Sequence, residues 1–528
     1  YSNTVTVELV DASSGSCTSH PVLSPEINQS LTFLSATGVE TSSNITSTKA
    51  YRNLKCRVTD SVTALVGCST DAFAIRPNSF AIISPLDNSG NSGAPTGTAG
   101  TAFNLTAETS IENYDGIPVI DSAQITAHVG AIQTGILAGL FPPADPSTGN
   151  STGTSFTYSE VGNVILNAGS IIDTDFATID KSAGDCTNSA SNTANADGKV
   201  GCNIANTDLA TLGRFIPDHF EISIVNQGSF GGSAYACSGF NYFGQAFSYD
   251  NKPQLTVTAY NGLSPKEITQ NYTGNYAKLE ISDFDFVTPT TDANKLGADN
   301  INKVNLSWTP AAADLIDHNN GSLSLTFGDD TFKYRQQTNS LVAPFTNAVE
   351  FEFTDITDSD SVSSSNLPLS VTPSGALIRF GRLNIANSHG SELVPLLDPV
   401  TTEYFNGANW TLNSMDNCTS LNLVNNITLS NPASGNNRPG DTAMVIESAT
   451  STAGLLNSLF ISGQGNLNFS APGEDNQGYI DIKGVLTGLE WLQFDWDSDG
   501  SFTENPSGRA SFGLFNGNDK LIFRREVY

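Results

Sequence analysis

Short runs in which apolar and polar residues alternate recur along the chain. They include residues 4–9 (TVTVEL), 255–260 (LTVTAY), 322–327 (SLSLTF) and 349–353 (VEFEF). Alternation with a period of two predicts strands that bury one face and expose the other. Segments rich in Gly, Pro, Asn and Asp separate these runs, which favours turns over long helices. We therefore predict an all-β chain of tandem Ig-like antiparallel β-sandwich domains with long loops.

Two details complete this pattern. Short helices are predicted over residues 208–212 and 311–317, where apolar and acidic residues follow one another without strict alternation. A last strand pair is predicted over residues 510–515 and 520–528, around the turn residues at 516–519. An internal hairpin is the preferred interpretation of this pair, and edge pairing with a neighbouring subunit is the alternative.

A weak internal repeat helps to divide the chain. Residues 75–82 (IRPNSFAI) resemble residues 215–222 (FIPDHFEI), and the two copies are followed by 113–116 (NYDG) and 271–274 (NYTG). Two related domains in tandem explain this order. A third boundary is expected near residue 374, after an acidic, Ser-rich stretch. The predicted domains are a small or partial sandwich at 1–77, Ig-like sandwiches at 78–213 and 214–374, and a C-terminal β domain at 375–528 with an acidic loop.

Charge excludes several classes of partner. The 528 residues include 23 Lys and Arg against 53 Asp and Glu, a formal net charge of −30. Such a chain repels nucleic acid and anionic lipid and favours cation binding. No apolar run is long enough for a membrane span. The chain begins at Tyr1 without an export signal, and we expect it to be a processed product or part of something longer.

Seven cysteines are spread along the chain without zinc-type spacing, which favours disulfides in an oxidising compartment. Cys186 and Cys202 bracket a polar loop that could not hold itself by apolar burial, so we predict a bridge between them. Cys237 with Cys418 is predicted as a long-range bridge. Among Cys17, Cys56 and Cys68 one bridge is expected and one thiol is left over. Cys56 and Cys68 are named as disulfide candidates, and the pairing among the three cysteines stays open.

The acidic loop is the sharpest chemical motif. Asp495, Asp497, Asp499 and Gly500 form a D-x-D-x-D-G run, and Glu504 follows. Carboxylates at every second position of a tight loop converge on one point, and hard oxygen ligands suit Ca²⁺. The position that would hold the last EF-hand ligand is Pro506, so only the first half of the loop resembles that motif. We predict a structural Ca²⁺ ion here, against the alternative of a solvated acidic turn.

Catalytic motifs are missing from the sequence. The five histidines are scattered singly, and neither an HExxH helix nor a GxSxG elbow is present. We therefore expect no enzyme. Exposed aromatic side chains could stack on sugars, and Trp410 and Trp496 are the candidates for glycan stacking; core packing is the alternative for both.

Several segments, in order, carry a resemblance to a known family. They are residues 68–77 (CSTDAFAIRP), 213–220 (GRFIPDHF), 381–387 (GRLNIAN), 416–419 (DNCT) and 495–500 (DWDSDG). The chain resembles the C-terminal region of unknown function in MshQ-like proteins of the MSHA-type type IV pilus system. The resemblance implies a pilus-associated protein on the surface of a Gram-negative bacterium, with pilins or minor pilins as partners. It implies no catalytic residues.

Two functions follow from the sequence. The first is a non-enzymatic structural or adhesive component of a type IV pilus, as its tip or stalk. The alternative is an array of carbohydrate-binding modules that contacts surface glycans. A groove lined by exposed aromatic side chains would favour the second.

Overall fold

The computed structural model describes residues 1–34, 38–231, 237, 239–431, 436–437 and 442–513. Nearly all regular structure in this part of the chain is β-strand, and almost all strand pairs are antiparallel. The prediction of an all-β, Ig-like chain with long loops is confirmed. No helix among the described residues is long and apolar enough to cross a membrane. We divide the chain into four units by their strands and cores.

The first unit is one five-stranded sheet, in which β2, β1, β3 and β4 are neighbours in that order and β5 also pairs with β3. Its core is small, with Leu9, Leu23 and Leu54 fully buried. The strands are β1 (Thr4–Asp11), β2 (Asn28–Thr32), β3 (Tyr51–Asp60), β4 (Val66–Cys68) and β5 (Phe73–Ile75).

The second unit packs three sheets around one core that includes Leu105, Phe156 and Phe215. The strand orders are β10-β13-β16-β7, β11-β12-β8-β6 and β15-β14-β9. The elements are β6 (Ala81–Ile83), β7 (Gly97–Thr98), β8 (Phe103–Glu108), β9 (Val119–Ile120), a 3₁₀ turn (Ser122–Gln124), β10 (Ile125–Ala127), β11 (Leu137–Ala138), β12 (Asn150–Tyr158), β13 (Gly162–Leu166), β14 (Ile171–Asp173), α1 (Thr178–Ala183), β15 (Ile204–Ala205) and β16 (Ala210–Ile216).

The third unit has the largest aromatic core, in which Phe247, Phe332 and Phe351 are buried. The main sheet has the order β17-β21-β26-β25, and smaller sheets cover it. The strands are β17 (His219–Asn226), β18 (Ser229–Phe230), β19 (Asn241–Tyr242), β20 (Tyr249–Asn251), β21 (Gln254–Tyr260), β22 (Phe284–Val287), β23 (Thr291–Leu296), β24 (Lys303–Thr309), β25 (Asp314–Asp317), β26 (Ser322–Thr326), β27 (Thr331–Tyr334), β28 (Phe345–Thr346), β29 (Phe351–Ile356), β30 (Leu369–Val371) and β31 (Leu377–Arg379); 3₁₀ turns lie at Gly274–Tyr276, Ile281–Asp283 and Thr338–Ser340.

The fourth unit has sheets of order β32-β35-β36, β33-β43-β42-β37-β38 and β34-β41-β40-β39 around a core of its own. The elements are β32 (Gly381–Ile385), β33 (Ser388–Gly390), β34 (Leu396–Asp398), β35 (Val400–Phe405), β36 (Trp410–Leu412), α2 (Leu423–Asn426), β37 (Ile427–Asn431), β38 (Asn436–Asn437), β39 (Ala443–Ile446), β40 (Ala449–Leu455), β41 (Leu467–Phe469), β42 (Gly478–Gly484), a 3₁₀ turn (Glu490–Leu492) and β43 (Ser507–Phe512). The first strand of the predicted final pair is β43. The second, at 520–528, lies outside the described residues.

The two predicted short helices are wrong. Residues 208–212 lead into β16, where Leu212 lies opposite Val164, and residues 311–317 lead into β25, where Leu315 lies opposite Leu325. In both cases hydrogen bonding to a neighbouring strand outweighs the local helix preference of Ala and Leu.

The disulfide predictions are confirmed for two pairs and corrected for the third. Cys186 pairs with Cys202 and Cys237 with Cys418, each at a Cα–Cα distance of 5.2 Å. The one bridge expected among the other three cysteines joins Cys17 and Cys68 at a Cα–Cα distance of 5.6 Å, so Cys56 is wrong as a disulfide candidate. Cys56 is a free thiol that packs half-buried against the core of the first unit, opposite Leu9, and burial raises its pKa.

The internal repeat has a structural counterpart in a buried Tyr–Asp hydrogen bond. The Tyr114 hydroxyl donates to Asp173 at 2.7 Å, and the Tyr272 hydroxyl donates to Asp358 at 2.9 Å. In each case the other carboxylate oxygen accepts two backbone N–H groups of the following turn. Both tyrosines are fully buried, and burial raises their pKa values. The tyrosine of each NYxG motif thus fixes a turn at the far side of its own unit.

A third copy of this arrangement escaped the sequence analysis. Residues 241–244 read NYFG, and the Tyr242 hydroxyl donates to Asp416 at 2.7 Å. The second oxygen of Asp416 accepts the N–H groups of Cys418 and Thr419 at 3.1 and 2.9 Å. Although the tyrosine follows β18 of the third unit, its ring packs in the core of the fourth. A search for all NYxG motifs would have found it.

Candidate metal centre

The acidic loop is closed by a β-bridge between Phe494 and Glu504, where the Phe494 N–H donates to the Glu504 carbonyl at 3.2 Å. Between them the chain turns sharply, since Ser498 has φ 62° and Gly500 has φ 90°. Only glycine adopts the second value without strain. The bridge and the turn bring the last acidic residue of the motif back beside the first.

All four predicted ligands come together. One oxygen from each of Asp495, Asp497, Asp499 and Glu504 lies within 4.8 Å of every other. Oxygens bound to one Ca²⁺ ion at about 2.4 Å are at most about 4.8 Å apart, so the four oxygens are close enough together to share such an ion. The donor set is made only of carboxylates, which also fits a hard divalent cation.

Two of the carboxylates each have one oxygen that accepts no hydrogen bond from the described residues. Asp495 Oδ1 and Glu504 Oε2 are buried atoms with no hydrogen-bond partner among the described residues. Their other oxygens are used, because Asp495 Oδ2 accepts the Gly500 N–H at 3.1 Å and Glu504 Oε1 accepts the Thr503 hydroxyl at 2.9 Å. A buried, unpaired carboxylate oxygen is costly unless a cation or a donor compensates it. The loop therefore fits a bound cation better than a solvated turn.

Backbone N–H groups already order the exposed half of the loop. The Ser501 N–H donates to Asp499 Oδ1 at 2.7 Å, and the Asp499 N–H donates to Asp497 Oδ1 at 3.3 Å. Each of these carboxylates keeps its other oxygen for a ligand. The side chains of Asp497 and Asp499 are solvent-exposed, so an ion could enter from this side.

A cluster of aromatic side chains packs beside the acidic loop. Trp410, Phe494 and Trp496 surround the guanidinium of Arg382, whose Cζ lies 4.0, 5.2 and 4.8 Å from their ring centroids. Arg382 is held in turn by Glu403, with Nη2 and Oε2 at 2.7 Å. Such cation–π contacts are strongest where the cation is removed from water, as here. The cluster fixes the segment that leads into the first acidic residue.

This cluster also bears on the two tryptophans predicted to stack on sugars. Trp410 is half-buried between Phe494 and Arg382, with the Phe494 ring centroid at 4.9 Å. Trp496 is 38% exposed, and one of its faces is directed towards Arg382. Glycan stacking stays a prediction, with Trp496 the more accessible of the two.

The loop sits against the boundary between the third and fourth units. Phe494 and Phe502 pack on the third core, and the Phe502 ring lies 5.4 Å from that of Phe380. Gln336 of the third unit donates to the Trp491 carbonyl at 3.1 Å. An ion bound in the loop would thus stiffen a segment that joins two units.

The chain has no match among curated proteins. It is similar to the solved I-band fragment I67-I69 from titin, with 6% identity and a TM-score of 0.20, over 83% of this chain and 98% of that chain. It is also similar to a complex of Dpr2 Ig1-Ig2 with DIP-Theta Ig1-Ig3, with 9% identity and a TM-score of 0.17, over 80% of this chain and 97% of that chain.

Two family models match the sequence. The model of the third domain of DUF6701 matches residues 184–381, and the model of its fourth domain matches residues 379–527. The two matches are contiguous and together take up more than half of the chain. The chain therefore belongs to the DUF6701 family, of which it carries the third and fourth domains.

Proposed function

We propose that this protein is a non-enzymatic, extracellular structural component of a type IV, MSHA-like pilus system, acting as a tip or stalk that presents a binding end away from the cell. Its partners are pilins or minor pilins of the same system. The sequence resemblance supports the pilus assignment, and three disulfides fit an oxidising compartment outside the cytoplasm. The observation that carries the stalk role is the construction of the junctions between units.

The junction between the second and third units contains a buried ion pair. Arg214 of β16 binds Asp360, with Nη1–Oδ2 at 2.5 Å and Nη2–Oδ1 at 2.7 Å. The two side chains are only 2% and 10% exposed. Removing one partner of a buried, bidentate pair costs about 3–5 kcal/mol, because the other charge stays buried without compensation. A pair of this kind resists bending between the units.

A buried carboxylate strengthens the same junction. Glu160 of the second unit is 1% exposed and accepts the backbone N–H groups of Gln270 and Asn271 in the third unit, both at 3.0 Å. In return, Asn271 accepts the N–H groups of Ile132 and Gln133 at 2.8 and 3.1 Å. In these contacts, groups of the two units hydrogen-bond to each other instead of to water, and the bonds would be lost if the units moved apart.

The third and fourth units are joined covalently as well as by packing. Cys237, in the segment before β19, is bonded to Cys418 of the fourth unit, and β19 pairs with β31. Phe240 and Tyr242 are buried in the fourth core, whereas Phe243 is buried in the third. One short segment therefore contributes to both cores.

The ion pairs of the first junction are more exposed. Arg52 pairs with Asp115 at 2.6 Å with both side chains at least 40% exposed, and its guanidinium lies 4.4 Å from the Phe176 ring centroid. Exposed pairs contribute about 0–1 kcal/mol. We expect bending, where it occurs, at this end of the chain.

Calcium completes the proposal. An ion held by Asp495, Asp497, Asp499 and Glu504 is structural and stabilises the loop at the third junction. Extracellular Ca²⁺ sites bind with dissociation constants of about 10⁻⁴–10⁻³ M, so the site would be filled outside the cell and empty in calcium-free buffer.

Small-angle X-ray scattering tests the stalk role. The wild type is expected to give one elongated, rigid particle, and Arg214→Met is expected to broaden its distance distribution. Lys252→Met is the matched control, because it removes an exposed ion pair within the third unit. Scattering by the wild type as flexibly linked beads would refute the stalk.

Antibody labelling tests the pilus assignment separately. Label is expected on surface filaments of the producing bacterium and should be lost when the major pilin is deleted. Cytoplasmic label, or surface label that persists without the pilin, contradicts the assignment.

The alternative function is carbohydrate binding at the aromatic cluster. The 38% exposure of Trp496 favours it. A glycan array tests it, because Trp496→Ala should then remove binding, whereas retention of binding by this variant would exclude stacking at that ring.

A further inference from the structure

A cleft of about 630 Å³ lies between the second and third units. One wall comes from residues 89–91, 128–130, 132, 163, 165 and 211 of the second unit, and the other from residues 273–276 and 319 of the third. Its size is in the range of small-molecule sites, which are about 300–1,000 Å³ and often lie between domains.

The lining is polar but carries no Asp, Glu, Lys or Arg among the described residues. Instead, amides of Asn91, Asn275 and Asn319 and the hydroxyls of Ser89 and Thr211 surround the space. Amides and hydroxyls donate and accept hydrogen bonds at neutral charge. In a chain of net charge −30 this neutral lining selects against charged ligands and suits a ligand rich in hydroxyl groups.

Two rings from opposite walls meet in the cleft. His128 and Tyr276 have ring centroids 4.1 Å apart, with an angle of 45° between the ring planes. The Asn163 N–H donates to His128 Nδ1 at 3.3 Å, which leaves the proton on Nε2. Burial lowers the pKa of His128 and keeps the ring neutral. The pair offers an aromatic surface and a ring N–H side by side.

The deepest lining residue fixes one wall of the cleft. Asn163 is 2% exposed, and its Nδ2 donates to the Ser89 carbonyl at 2.6 Å. The opposite wall is fixed too, because the Gly274 N–H donates to Asp317 at 2.8 Å.

The cleft is preformed, since the buried Arg214–Asp360 pair holds its two walls together. A preformed site loses little conformational entropy when a ligand binds. Two exposed aliphatic side chains, Val129 and Ile132, lie beside the polar groups. The site therefore combines hydroxyl-matching groups, ring faces and apolar contact.

We propose that this cleft binds a neutral saccharide of one or two rings, with hydroxyls on the asparagine amides and a C–H face against Tyr276. The site is separate from the aromatic cluster of the fourth unit, and it goes beyond the stalk role, which scattering tests independently. Because both units line the cleft, a bound sugar would also bridge their junction.

Saturation-transfer NMR on the full chain tests the proposal with millimolar glucose, galactose, mannose, N-acetylglucosamine and their disaccharides. Asn275→Ala removes one amide from an exposed position, and Asn294→Ala, an exposed change outside the cleft in the same unit, is the matched control. Loss of one hydrogen bond predicts a dissociation constant about 2–10-fold higher for Asn275→Ala. Tyr276→Ala should remove binding, and its melting curve reports whether it has folded.

Galacturonic acid supplies the charge test. It is expected to bind at least tenfold more weakly than galactose, since no described lining residue could pair with its carboxylate. The proposal is supported if the wild type gives saturation transfer to a neutral sugar, if Asn275→Ala weakens binding of that sugar, and if Asn294→Ala leaves its binding unchanged. The absence of transfer to every sugar, binding that neither cleft variant changes, or equal binding of the acid overturns it.

Discussion

Asp398 is a buried carboxylate whose ionisation should lower stability. It ends β34 and is fully buried on the same face as the core residue Leu396. Neither of its oxygens has a hydrogen-bond partner among the described residues. Burial raises its pKa from the usual 3.8 to about 6, an effect that the nearby Ser388 hydroxyl opposes.

The sign and size of the effect follow from linkage. Because the folded pKa lies above the unfolded one, the folded state holds its proton longer, and stability falls as pH rises from about 4 to about 6. A shift of about two pH units corresponds to about 3 kcal/mol. Asp398→Asn keeps the shape without the charge, so it should be more stable than the wild type by about 3 kcal/mol near pH 7.5 and by about 1 kcal/mol near pH 4.5.

Urea unfolding in calcium-free buffer, followed by tryptophan fluorescence, measures this difference. Trp410, Trp491 and Trp496 all lie in the fourth unit and report its unfolding. Asp475→Asn, an exposed change in the same unit, is the control and should stay within about 0.5 kcal/mol at both pH values. A stability gain for Asp398→Asn that is equal at the two pH values, or a loss near neutral pH, refutes the reasoning.

Three further predictions concern the loop, the repeat and the thiols. Calcium at about 100 times its dissociation constant should stabilise the fourth unit by about 2.7 kcal/mol in thermal melts, and this gain should vanish in Asp495→Asn; equal stabilisation of the variant contradicts the site. Tyr272→Phe should cost about 1–3 kcal/mol in denaturant unfolding because Asp358 loses its buried donor, and an unchanged midpoint would exclude a structural role for that hydrogen bond. Alkylation with mass spectrometry should find one free thiol, at Cys56, which reacts faster in urea; a Cys56–Cys68 peptide would contradict the pairing.

The strands could be predicted from the sequence wherever one face is buried and the other wet. β21, for example, alternates buried and half-buried residues throughout, as the pattern at 255–260 predicts. Where alternation is weak, the sequence does not distinguish a strand from a short helix. Residues 311–317 look locally helical, but residues 314–317 are extended because they pair with β26, the next strand along the chain.

The candidate site shows the same limit. The four acidic ligands are close in sequence, so their spacing alone predicts that they converge. Arg382, which the loop aromatics enclose, belongs to β32 and cannot be connected to Trp496 by any local pattern. The cleft is even harder to predict from the sequence, because His128 and Tyr276 come from different units and meet only when both units have folded and docked.

The third NYxG motif explains why domain boundaries are the hardest feature to derive from this sequence. Its position among the strands of the third unit suggests a third-unit role, yet Tyr242 donates to Asp416, a fully buried residue of the fourth. Cys237, five residues earlier, is bonded to Cys418 beside that aspartate. Without this segment the fourth unit would keep a buried carboxylate with no tyrosine donor and a cysteine with no partner. A single boundary in the sequence between the third and fourth units therefore does not divide their packing.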